Sequence, residues 1–85
     1  CDMMALACVH VLTKAGYRIP EDVKVAGFDN ISLSGFCNPP LTTVTQDTKG
    51  MAQCAGKALL ELIRHGEVKQ KRTVLPVSLE IRRST

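Results

Sequence analysis

The sequence predicts an α/β layered fold, with parallel strands flanked by helices. Three features of the chain lead there. Residues 51–62 repeat apolar side chains at helical spacing, and residues 23–28 form a short apolar run in which only Lys24 is charged. Such segments follow one another as helix, strand, loop, strand, helix, strand, strand, the alternation expected of α/β layers. A strand as apolar as residues 23–28 is predicted to be buried between helices, as strands of parallel sheets are.

Each element has its own local reasons. Residues 3–15 read as a helix with Asp2 as N-cap and Gly16 as the residue that stops it. Leu6, Val9 and Leu12, flanked by Cys8 and Val11, form a broad apolar face, so this helix is expected to be largely covered. Pro20 holds Ile19 extended in the connector before the strand. Residues 29–40 are turn-rich, with Asp-Asn, Ser-x-Ser-Gly and Asn-Pro-Pro. Residues 41–45 are β-prone. Asp47 then caps a second helix that runs to about His65 and stops at Gly66. Met51, Ala55, Ala58, Leu59 and Leu62 make its apolar stripe. Residues 73–75 and 77–81 are expected as strands on either side of Pro76.

A helix that packs on a parallel sheet normally follows the strand that launches it, and no strand precedes Asp2. At 85 residues, starting at Cys1, the chain therefore reads as a piece of a larger protein. Its composition, 45% hydrophobic and 22% charged, is that of a globular chain and not of a disordered or collagen-like one. No apolar run approaches the ~20 residues that span a bilayer, and no signal-peptide pattern stands at the N-terminus. Residues 1–42 carry three Lys/Arg against four Asp/Glu, and residues 43–85 carry eight against four. The excess at Arg64, Lys69, Lys71 and Arg72 straddles the predicted helix end and is broken by Glu67, as in a solvated loop. Cys1, Cys8, Cys37 and Cys54 lack zinc or disulfide spacing and are expected as buried reduced thiols, with no metal site.

Enzyme motifs for acyl, phosphoryl or metal-assisted chemistry are absent, and the two histidines lie 55 residues apart. His10 reads as a partly covered or interface residue. Asp29 follows the predicted strand directly, where α/β sheets present ligand-contacting side chains. The same position suits an Asx turn, and the spacing leaves both roles open. A carboxylate there can accept two or more hydrogen bonds from sugar hydroxyls or ring N–H groups. Asp2 is expected to cap its helix first and to stand at the sheet edge second.

Gly27-Phe28-Asp29-Asn30 with Pro39-Pro40-Leu41-Thr42-Thr43-Val44 resembles the C-terminal region of the LacI/GalR family of bacterial transcriptional regulators. Asp2-Met3-Met4-Ala5-Leu6, the stretch from Ala15 to Val23, and Leu75-Pro76-Val77-Ser78-Leu79 with Arg82-Arg83-Ser84-Thr85 match further family segments in order. The resemblance covers nearly all of the chain. It implies a fragment of a bilobed, type I periplasmic-binding-protein-like fold. Residues 1 to about 44 would lie in the C-terminal lobe, about 47–79 in the N-terminal lobe, and 80–85 would return to the first.

The family resemblance further implies a cytoplasmic homodimer that binds a small effector, such as a sugar or nucleobase, between its lobes. It implies no catalysis and no cofactor, and contact with operator DNA only through an N-terminal head outside these residues. Asp29 matches the family's effector-contacting aspartate. Cys1 stands where some members carry an effector-binding amide, a role a thiol fills poorly, and Asp2 shares that edge. Leu6, His10, Phe36 and Cys37 match the dimer surface, with Phe36 either an interface anchor or a lid on its own lobe. The alternative is an extracytoplasmic sugar-binding transport receptor of the same fold, which the four unpaired cysteines disfavour.

Overall fold

The computed structural model describes residues 1–85. Helix α1 spans Asp2–Lys14, and local chemistry ends it as expected. Gly16 adopts a φ of +91°. The Gly16 and Tyr17 amides donate back to the Thr13 and Leu12 carbonyls at 3.0 Å, so carbonyls of the last turn are satisfied. The start differs from expectation. Cys1 occupies the cap position without a side-chain bond, and Asp2 is already in the first turn. Its carboxylate is engaged by residues far along the chain, which local capping rules cannot weigh.

Strand β1 is Ala26–Asp29, later than the expected 23–28 and alternating between exposed and half-buried positions. Pairing sets these limits. Ala26, Gly27, Phe28 and Asp29 lie in parallel register with Thr42, Thr43, Val44 and Thr45 of β2, which spans Thr42–Gln46. Only Val25 of the apolar run is buried, and it pairs with the C-terminal segment, its amide donating to the Ser84 carbonyl at 3.0 Å. A one-turn 3₁₀ helix, Ser32–Gly35, interrupts the loop between β1 and β2. Helix α2, Thr48–His65, begins and ends where its caps predict. The Asp47 carboxylate accepts from the Gly50 amide at 2.8 Å, and Gly66 stops the helix with φ +74°. Strand β3 is Val77–Glu80, and the sheet order is β1-β2-β3. Residues 73–75 form no strand; Pro76 after them lacks an amide donor and no partner strand pairs with them.

The chain divides into two compact units, one of Cys1–Thr45 with Ser78–Thr85, the other of Gln46–Val77. In the first, Ala5, Val9, Val25 and Leu41 are buried, with Leu6, Leu12, Ile19, Val23 and Cys37 packed around them. The expectation that α1 is largely covered does not hold. Met3, Met4 and Val11 stay exposed, because the packing of α1, chiefly on β1, covers one stripe of the helix. In the second unit α2 buries no residue completely. Its Met51, Ala55 and Ala58 line an open groove of about 430 Å³ with Val74 and Val77.

All four cysteines are free, but only Cys37 is half-buried; Cys1, Cys8 and Cys54 are exposed. The expected burial of Cys8 and Cys54 fails for the same reason as that of α1. Helical periodicity identifies an apolar face without supplying what covers it. No helix is long and apolar enough to cross a membrane, and no group of side chains could hold a metal ion.

Candidate functional site

The carboxyl ends of β1 and β2 meet the start of α1 in a polar knot. Asp29 is the last residue of β1, half-buried, with φ +125°, and Asn30 follows with φ +56°. L residues rarely hold such angles, and they persist where surrounding bonds fix them. Asn30 is closed on both ends of its carboxamide. Its Nδ2 donates to Thr45 Oγ1 at 3.0 Å, and its Oδ1 accepts from Arg82 Nη2 at 2.8 Å.

Asp2 lies beneath this turn, fully buried. Its Oδ2 accepts from the Ile31 amide at 2.9 Å and from Ser34 Oγ at 2.5 Å, and its Oδ1 accepts from Thr43 Oγ1 at 2.6 Å. Burial pushes the Asp2 carboxyl up. Hydrogen bonds from Ser34, Thr43 and the Ile31 and Asn30 amides outweigh it and hold the group below the usual carboxylate range. The carboxylate also explains Gly27, since a β-carbon there would overlap it. With no exposed surface, Asp2, expected at the effector edge, serves in this structure as an acceptor whose oxygens are taken up by the Ile31 amide and the Ser34 and Thr43 hydroxyls.

The C-terminal segment closes the knot from the other side. Arg82 Nη1 donates to the Leu41 carbonyl at 2.9 Å, and the Arg82 amide donates to Thr42 Oγ1 at 2.8 Å. Ser84 is fully buried, its hydroxyl donating to the Val25 carbonyl at 2.6 Å and accepting from the Thr42 amide at 2.8 Å. No buried polar side-chain atom is left without a partner. Ser34, Thr43, Arg82 and Ser84 were not singled out by sequence reasoning. Arg82 and Ser84 stood within a family motif, but their partners are 40 or more residues away.

The other predicted site residues are scattered around this edge. Cys1 is exposed at the cap of α1. Leu6 is half-buried against its own core, and His10 is exposed. Phe36 is 87% exposed, so it does not fold back as a lid. Cys37 Sγ donates to the Ser34 and Pro39 carbonyls at 3.3 and 3.1 Å, bracing its own loop. Asp29 places a carboxylate at the end of β1 on this edge. The hydroxyls of Ser34 and Thr43 are fully buried with their donors spent on Asp2.

Comparison with known proteins follows the same outline. The periplasmic binding protein-like domain family matches residues 1–85. The chain is 39% identical over 83 residues to the HTH-type transcriptional repressor PurR of Mannheimia succiniciproducens, covering 98% of the chain and 25% of that protein. It is 37% identical over 84 residues to the repressor CytR of Escherichia coli K12, covering 99% of the chain and 25% of that protein. Among solved structures, the transcriptional regulator CelR–cellobiose complex superposes with a TM-score of 0.92 at 36% identity, over 99% of this chain and 26% of that one. The lac repressor dimer bound to operator and the anti-inducer ONPF gives 0.87 at 37% identity, over 99% and 29%. The chain thus spans about a quarter of the length of the curated relatives it matches.

Proposed function

The chain belongs to the periplasmic binding protein-like domain family, alongside LacI-type transcriptional repressors, and from that premise we propose that it is the effector-sensing and dimerising part of a DNA-binding transcriptional regulator. Its first compact unit belongs to the C-terminal lobe, and its second to the N-terminal lobe. A small molecule with several hydrogen-bond donors, such as a sugar or a nucleobase, binds between the lobes and shifts the regulator between two states of different operator affinity. Operator contact is made by a head outside these residues, the regulator is cytoplasmic, and this region performs no chemistry.

The observation that carries the reading is Asp29, a half-buried carboxylate that ends β1 at the carboxyl edge of the sheet, where α/β folds present ligand-contacting side chains. The kinship with the CelR–cellobiose complex supports a sugar. Of Leu6, His10, Phe36 and Cys37, assigned to the surface for a second subunit, His10 and the 87%-exposed Phe36 lie open to it, while Leu6 and Cys37 are half-buried. Operator-binding titrations of the full-length protein, with and without candidate inducers, test the proposal. Asp29→Ala is expected to abolish the effector response while leaving effector-free operator affinity nearly unchanged. An unaltered response would remove Asp29 from the site. A leader peptide in place of a helix-turn-helix upstream would turn the assignment to a transport receptor.

A further inference from the structure

Asp29 and Asn30 form a left-handed turn that their own sequence does not require, with φ of +125° and +56°. Asn tolerates such angles through its short polar side chain; Asp in this region is rarer, and consecutive positive φ values need external support. That support comes from the two ends of the chain. From the start of α1, the buried Asp2 carboxylate binds the Ile31 amide at 2.9 Å and, through Ser34 Oγ and Thr43 Oγ1, ties the loop to β2. From the C-terminal segment, the Arg82 guanidinium spans the Leu41 carbonyl at 2.9 Å and Asn30 Oδ1 at 2.8 Å. The second of these bonds decides which way the Asn30 carboxamide faces, and so turns its Nδ2 to Thr45 Oγ1 at 3.0 Å.

We propose that Asp2 and Arg82 are positioning residues of the effector site: they lock the turn at 29–30 from opposite sides and fix the strand end that carries Asp29, and neither touches the effector. The inference rests on reading Asp29 as an effector contact. The chemistry of the two residues suits a lock. A carboxylate accepts at both oxygens without donating, whereas an amide in its place keeps one acceptor oxygen and turns an NH2 donor toward the partner of the other. A guanidinium reaches two acceptors with its planar fork, whereas the point charge of a lysine keeps one of them at best. The adjacent Arg83 is exposed and takes no part in the lock, which makes it a charge-matched control.

The test uses the full-length protein and two readouts on Asp2→Asn, Arg82→Gln, Arg82→Lys, Arg83→Gln and Asp29→Ala. The first is amide hydrogen exchange over residues 29–34 without ligand. The second is affinity for two probes, cellobiose and adenine, by calorimetric titration. Arg82→Gln and Asp2→Asn are expected to speed local exchange by roughly tenfold or more, the scale of one lost charge-assisted hydrogen bond. They should weaken whichever probe binds the wild type by a similar factor. Arg82→Lys should fall between, with an unchanged thermal midpoint, and Arg83→Gln should match wild type. The lysine variant separates positioning from general stability, and the Arg82 pair carries the test if Asp2→Asn does not fold. Unchanged exchange in both Arg82 variants overturns the lock whether or not a probe binds. Probe affinity that falls with Asp29→Ala but is untouched by the Arg82 variants overturns the positioning role. Fast exchange in the Arg82 variants with probe affinity indifferent to Asp29→Ala overturns the reading of Asp29 and leaves the lock standing.

Discussion

Replacing Gly27 by Ala adds one methyl group at the point where β1 crosses the buried Asp2 carboxylate. The new β-carbon would overlap that carboxylate and stand 2.9 Å from Leu41 Cδ2. Both neighbours are fully buried, so neither can swing into solvent. Overpacking of this kind costs about 1–3 kcal/mol. A displaced carboxylate also surrenders at least one charge-assisted hydrogen bond, a further ~1.5–3 kcal/mol. The smaller unfolded-state entropy of Ala returns about 0.4–1 kcal/mol. The balance is a loss of about 2–5 kcal/mol, a large fraction of a typical domain's stability. Gly56→Ala is the matched control, since nothing lies within 4 Å of its added carbon inside α2. It should stabilise by about 0.5–1 kcal/mol. Urea midpoints of the full-length protein, followed by circular dichroism, read both. A Gly27→Ala protein within ~0.5 kcal/mol of wild type would refute the placement of Asp2 against β1.

Asp47→Ala removes the one side-chain cap of α2 and should cost about 1 kcal/mol, with faster amide exchange confined to the first turn. Asp2 gives the fold an acid limit: its folded-state pKa is depressed, so its contribution is complete above the ordinary carboxylate value of about 3.9 and fades as pH falls through the lower, folded-state value. Acid titration of wild type and Asp2→Asn by circular dichroism should therefore show the low-pH loss in the first and a flatter profile in the second, and identical profiles would contradict the assignment. Phe36→Ala should weaken self-association by roughly tenfold or more in sedimentation equilibrium, as an exposed aromatic anchor does. Asp22→Asn removes the exposed pair with Arg18 at 2.9 Å and should leave the thermal midpoint where it is at physiological salt.

Elements with local signals were legible in the sequence. Asp47 and Gly66 mark the ends of α2 because a cap is written within a few residues of the turn it serves, and Gly16 marks the end of α1 for the same reason. The limits of β1 were not legible, because strand ends are decided by a partner, here Thr42–Gln46, and not by the run of apolar residues. Asp2 shows the same limit at the site. Next to a helix start, an aspartate reads as a cap, and only bonds to Ser34 and Thr43, 32 and 41 residues away, make it a buried hub. Cys8 and Cys54 were expected inside because each lies within a helical apolar pattern, yet Cys8 falls off the Ala5–Val9 stripe that packs into the core, and α2 buries no residue completely. Asp29 stood out from its position after an apolar run, and the structure sets it at the end of β1.

A crystal structure of the full-length protein with its effector bound tests the central claim most directly. We expect an Asp29 carboxylate oxygen about 2.6–3.2 Å from an effector donor, with the Asp2 carboxylate still held by Ser34, Thr43 and the Ile31 amide and out of contact with the effector. An effector seated away from Asp29, or one bound by Asp2 with that hub opened, would contradict it.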